Sequence, residues 1–70
     1  MNEQAAKIEA ILFAYGEALE VKRLCDFFKK TEEEVAEMVE MLQEFYKKSK
    51  SGLQIVFKGN TIQLVSHNRL

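Results

Sequence analysis

Carboxylates supply most of the side chains here that could do chemistry. Thr31 to Tyr46, TEEEVAEMVEMLQEFY, carries six of them, Glu32, Glu33, Glu34, Glu37, Glu40 and Glu44, with no Lys or Arg. Carboxylates this close could hold a divalent cation or divide acid and base roles. Either use needs them to converge in a polar pocket. Glu33, Glu37, Glu40 and Glu44 instead recur at helical spacing on an outer face, which is the pattern of a solvated surface. Thiol chemistry would rest on Cys25, the only cysteine. Cys25 falls on the inward side of a helix, and the only histidine, His67, lies in the terminal tail. One Cys and one His make neither a nucleophile–base pair nor a four-ligand zinc set. Each of the three glycines falls at a turn or a cap, so no Gly-rich phosphate loop exists. The expectation is no enzyme, no metal ligand and no cofactor. One basic group remains. Lys47, Lys48, Lys50 and Lys58, gathered where the third helix meets a hairpin, would permit weak phosphate contacts without reading base sequence. Their plainer use is to end a helix and protect a strand edge.

Composition narrows the classes further. Ten Lys or Arg against eleven Asp or Glu leave a formal charge of −1, which draws the chain toward neither nucleic acid nor anionic membrane. No apolar run approaches the ~20 residues that cross a bilayer. The opening MNEQAAKIEA is polar and acidic, unlike a signal peptide. A lone cysteine cannot close an internal disulfide, and an intracellular chain is expected. Seventy residues, 47% hydrophobic, make one small domain with one core. The chain stops at His67-Asn68-Arg69-Leu70, just after a strand pattern. Residues 1–70 are therefore expected to be one domain and a fragment of something longer.

The elements that must position these groups follow from periodicity. Ala5, Ile8, Ile11, Leu12 and Tyr15 share one face of a helix over residues 2 to 15, and Gly16 stands where a left-handed cap ends it. A short extended link, Glu17 to Glu20, leads to a second helix over Val21 to Lys29 with Val21, Leu24, Cys25 and Phe28 inward. Thr31 opens a third helix, with Glu34 completing a capping box. Its inward stripe is Val35, Met38, Val39, Leu42, Phe45 and Tyr46. From Gly52 the period changes to two. Leu53, Ile55 and Phe57 alternate with Gln54, Val56 and Lys58, Gly59-Asn60 signals a two-residue turn, and Ile62 and Leu64 return. That turn pairs Lys58 with Thr61, Phe57 with Ile62 and Ile55 with Leu64. The fold expected is α+β: a winged helix, with a three-helix core, a helix-turn-helix and a C-terminal two-stranded β-wing.

In that layout the third helix would be the DNA reader, yet its six carboxylates would meet a row of phosphates. The stretch Glu9-Ala10-Ile11-Leu12-Phe13-Ala14-Tyr15-Gly16-Glu17 resembles the bacterial segregation and condensation protein B family. Members have a first helix ending in Glu-Ala-hydrophobic-Leu-Phe-Ala-x-Gly-Glu. The Glu-rich third helix and Gly52-Leu53-Gln54-Ile55-Val56 also fit, so the likeness covers about residues 7 to 66. Ala18 stands where the family usually has Pro, and Glu20 or Val21 where it has Ser or Thr. The resemblance implies the first of two winged-helix domains in a cytoplasmic, nucleoid-associated and non-enzymatic subunit. It implies a role in chromosome partition, condensation and cell division, homodimerisation, and support for binding a kleisin subunit alongside the SMC ATPase. The alternative is a DNA-binding winged-helix transcription regulator. The acidic third helix favours the first and argues against sequence-specific nucleic acid as a partner.

Helix one carries the residue-level signal for a partner. Opposite its inward stripe stand Ala6, Ala10, Phe13 and Ala14, broken only by Lys7 and Glu9 at the edges. A helix apolar nearly all round is usually covered on both sides, and a domain this small cannot cover both. Those four residues are the expected protein interface. Met41 on helix three and Val56 and Val65 on the outer face of the wing are weaker candidates.

Overall fold

A computed structural model describes residues 2–66. The elements run α1 (Glu3–Tyr15), β1 (Leu19–Glu20), α2 (Val21–Phe28), α3 (Glu32–Ser49), β2 (Leu53–Lys58) and β3 (Thr61–Ser66). Helices α1 and α3 begin and end for local reasons, whereas α2 starts with the Val21 N–H donating to the Asn60 carbonyl at 2.9 Å. Asn2 caps α1, its Oδ1 accepting from the Ala5 N–H at 2.7 Å. Gly16 closes α1 in the left-handed region at φ 78° and returns its N–H to the Leu12 carbonyl. Thr31 and Glu34 form the expected capping box. The Thr31 Oγ1 accepts from the Glu34 N–H at 3.1 Å, and the Glu34 carboxylate accepts from the Thr31 N–H at 2.9 Å. That N–H, with help from Lys30, holds the Glu34 carboxyl below its ordinary range.

The wing has the register its turn dictates: Lys58 opposite Thr61, Phe57 opposite Ile62, Ile55 opposite Leu64. The link after α1 does more than connect. Leu19 and Glu20 pair with Ile62 and Thr61, so the sheet has three antiparallel strands in the order β1-β3-β2. The expected two-stranded wing therefore gains a third strand. This is the arrangement of a winged helix, α+β, with α1, α2 and α3 packed on one face of the small sheet.

One core joins every element. Ile8 and Leu12 of α1, Leu19 of β1, Leu24 of α2, Leu42 of α3, Ile55 of β2 and Ile62 of β3 all belong to it. Helix α3 contributes most, through Val35, Met38, Val39, Leu42 and Tyr46. Ile11, Val21, Cys25 and Phe28 pack against its margin, half-buried. Three residues expected to face inward do not. Tyr15 is 42% exposed, Phe45 38% and Phe57 51%. Tyr15 ends its helix past the last covering turn, and Phe45 sits at the border of its stripe. Phe57 shares a face with buried Ile62. However, β3 is flanked on both sides while β2 is an edge strand with nothing beyond Phe57.

Gln43 fastens the wing to α3. Its Nε2 donates to the Ile55 carbonyl at 3.1 Å, and its Oε1 accepts from the Ile55 N–H at 2.7 Å. The side-chain amide thus takes the place of a peptide group of a neighbouring strand. It satisfies the middle of the open β2 edge, where unpaired backbone would otherwise recruit another chain.

Two outcomes are expected. Leu42→Ala removes a fully buried side chain and should cost roughly 2–5 kcal/mol, in a domain that holds about 3–5 kcal/mol in all. Urea unfolding should find much of this variant unfolded, with Glu40→Ala close to the parent; equal midpoints would mean that α3 is rotated from the orientation described. Gln43→Leu should strip both hydrogen bonds from Ile55, costing about 1–3 kcal/mol. Amide exchange at Ile55 should then rise more than at Ile62, and an unchanged Ile55 rate would remove the clamp.

Candidate interaction surfaces

The sequence-derived interface residues all lie on one open face of α1. Ala6, Ala10, Phe13 and Ala14 are exposed, and Phe13 is 76% so, the most exposed of the large apolar side chains described. Ile8 and Leu12 occupy the opposite side of the same helix. Between the two sides lies Glu9, half-buried, accepting from the Tyr46 phenol at 2.9 Å. Burial first, and then the Glu9 carboxylate, push the Tyr46 phenol far above its ordinary pKa, so it stays a neutral donor. This contact ties α1 to α3, while buried Ala5, Ile8 and Leu12 turn the opposite side, with Phe13, outward.

Helix α3 turns its carboxylates to solvent. Glu32, Glu33, Glu34, Glu37, Glu40 and Glu44 are all exposed. The first three stand in the opening turn, where the helix dipole favours negative charge, and Lys47 and Lys48 stand in the last turn, where it favours positive charge. Glu37, Glu40 and Glu44 have no such helical reason to be there. Among the described residues, no group of three or more His, Cys, Asp and Glu is placed to hold a metal ion.

The four lysines do not come together. Lys47, Lys48 and Lys50 close α3, whereas Lys58 is at the far end of β2, beside the hairpin turn. At roughly 3.3 Å per residue, the strand from Leu53 to Lys58 holds them apart. Lys47 and Lys50 instead line a groove with Gly52, Leu53 and Gln54. Of the weaker apolar candidates, Met41 is 55% exposed and Val56 39%, while Val65 is half-buried.

Cys25 is a half-buried thiol on α2. Burial raises its pKa, and the Glu32 and Asp26 carboxylates push it further, so the unreactive thiol is favoured over the thiolate. His67, the remaining partner considered for it, lies outside the described residues.

Sequence reasoning passed over one surface aromatic. Phe27 is 63% exposed on α2 and meets Phe28 edge-on at 5.0 Å. The doublet itself was the available signal. Adjacent positions on a helix are about 100° apart, so Phe28 facing the core leaves Phe27 outside it. No helix among the described residues is long and apolar enough to cross a membrane.

The chain is 38% identical over 65 residues to "Segregation and condensation protein B" of Caldanaerobacter subterraneus subsp. tengcongensis (strain DSM 15242 / JCM 11007 / NBRC 100824 / MB4). The match takes in 93% of this chain and 39% of that relative, so the chain spans well under half of the relative's length. No solved structure matches the chain. Residues 6–70 match the family described as "Segregation and condensation complex subunit ScpB", and the chain belongs to that family.

Proposed function

We propose that this chain is a winged-helix module, the first of two in its parent protein, in a non-enzymatic subunit of the bacterial chromosome segregation and condensation complex. In this reading it homodimerises through the outer face of α1 and supports binding of the kleisin subunit that links it to the SMC ATPase. Such a subunit works in the cytoplasm at the nucleoid. The observation that carries the reading is Phe13, 76% exposed among Ala6, Ala10 and Ala14. Alanines let a second helix approach closely. A bulky ring beside them supplies apolar area that water would otherwise cover at a cost of roughly 25 cal/mol per Å². A two-fold contact presents the same patch twice, so this one face would serve both protomers.

Family membership supports the complex as the setting. The carboxylates of α3 support a protein rather than a DNA target. A reading helix must lie against phosphates, and Glu37, Glu40 and Glu44 on its open side would repel them. The runner-up, a DNA-binding regulator, has no basic α3 to stand on.

Light scattering across concentration tests the proposal. The parent chain should approach twice its monomer mass at high micromolar concentration. Phe13→Glu should raise the dissociation constant by more than about thirtyfold, as a central interface anchor does. Its circular dichroism should match the parent's, since Phe13 lies outside the core. A parent that stays monomeric, or a Phe13→Glu variant that dimerises as well as the parent, would overturn the reading.

A further inference from the structure

A trough between α1 and α3 has no role in self-association through Phe13. One part of it is lined by Asn2, Ala5, Met41, Glu44, Phe45 and Lys48, and its wall is almost entirely apolar. A second part, walled by Gln4, Lys30, Glu34, Glu37 and Met38, shares Met41 with the first. The two run together along the open side of α3. Met41 and Phe45 are consecutive at four-residue spacing, 55% and 38% exposed, and form an uncovered apolar ridge in the floor. Methionine is flexible and polarisable and suits a surface that must fit another chain.

Charge identifies the kind of chain. Glu37 and Glu44 line the trough, and Glu33 and Glu40 follow on the same side of α3. Glu33–Glu37 and Glu40–Glu44 are four apart and Glu37–Glu40 three apart, spacings at which like charges oppose the helix. Lys48, four residues after Glu44, and Lys30, beside Glu34, offset part of the repulsion. Cations supplied from outside would relieve the rest. The walls are side chains of two helices with no free strand edge, so they suit an incoming helix rather than a strand.

We propose that this trough seats an amphipathic helix of a partner protein. Its apolar residues, at i, i+4 and i+7, pack along the Met41–Phe45 ridge. Its flanking Lys or Arg side chains pair with Glu37, Glu40 and Glu44. The inference rests on the reading of the chain as a protein-interaction module, but not on the Phe13 contact.

The probe is a synthetic helical peptide with Leu at those spacings and Lys elsewhere, compared with its isomer carrying Glu for Lys. Binding to the whole chain is read from the methionine methyl resonances. The Lys peptide should move the Met41 and Met38 signals, and the Glu peptide should not. Glu37→Gln, Glu40→Gln and Glu44→Gln together should weaken binding about tenfold or more, with most of that loss reproduced in the parent by added salt. All three are exposed, so circular dichroism should stay that of the parent. Phe13→Glu should bind the Lys peptide as the parent does, whether or not it still self-associates. A Met41 signal that does not move, equal binding of both peptides, or a triple variant that binds as tightly would overturn the proposal. So would Met38 and Met41 signals that shift with the chain's own concentration in the absence of peptide, because a second copy would then cover the trough.

Discussion

Helix α3 can bury only one side, and the rest of the molecule is arranged around which side that is. Val35, Met38, Val39, Leu42 and Tyr46 form the buried stripe. Helices α1 and α2 and strand β2 pack on that stripe or its borders, so one apolar surface organises the whole core. Turning these side chains in leaves Glu33, Glu37, Glu40 and Glu44 facing out. The acidity of the open face thus reflects which residues are available for the second side, and it sets what that side can meet. In a winged helix this is the side a DNA reader would lay into a groove. Here it repels phosphate and offers an apolar ridge edged with carboxylates.

Three polar contacts hold this arrangement in place with little apolar area to spare. The Thr31–Glu34 box sets where α3 begins. Tyr46 to Glu9 ties α1 to it. Gln43 to Ile55 sets where the wing docks. The last two satisfy groups that would otherwise sit unpaired in part-buried positions. Glu9 belongs to the stretch by which the chain resembles its family, and its contact with Tyr46 gives that position a structural use.

Local chemistry was legible in the residues, and long-range chemistry was not. The capping box at Thr31, the left-handed Gly16 and the Gly59-Asn60 register each depend on neighbours a few positions away, and the structure has them as the spacing implies. Strand β1 escaped notice because Leu19 and Glu20 are too few to show alternation, and their partners Ile62 and Thr61 come from the other end of the chain. The Gln43 clamp escaped for the same reason. Tyr15, Phe45 and Phe57 obey the right period yet lie at a helix end, a stripe border and a sheet edge. Periodicity gives direction but not whether anything stands there to cover the side chain. For the candidate surface, Ala6, Ala10, Phe13 and Ala14 could be placed on an open face from helical geometry alone. The trough could not, because it needs α1 and α3 brought together.

With its carboxylates exposed, the open side of α3 should meet protein and not DNA. An amide-resolved NMR titration of the chain with mixed-sequence duplex DNA at low salt tests it directly. Resonances of Glu33 through Glu44 should not move, and any shifts at Lys47, Lys48 and Lys50 should vanish as salt is added. Saturable shifts along Glu33 to Glu44 that persist at physiological salt would contradict it.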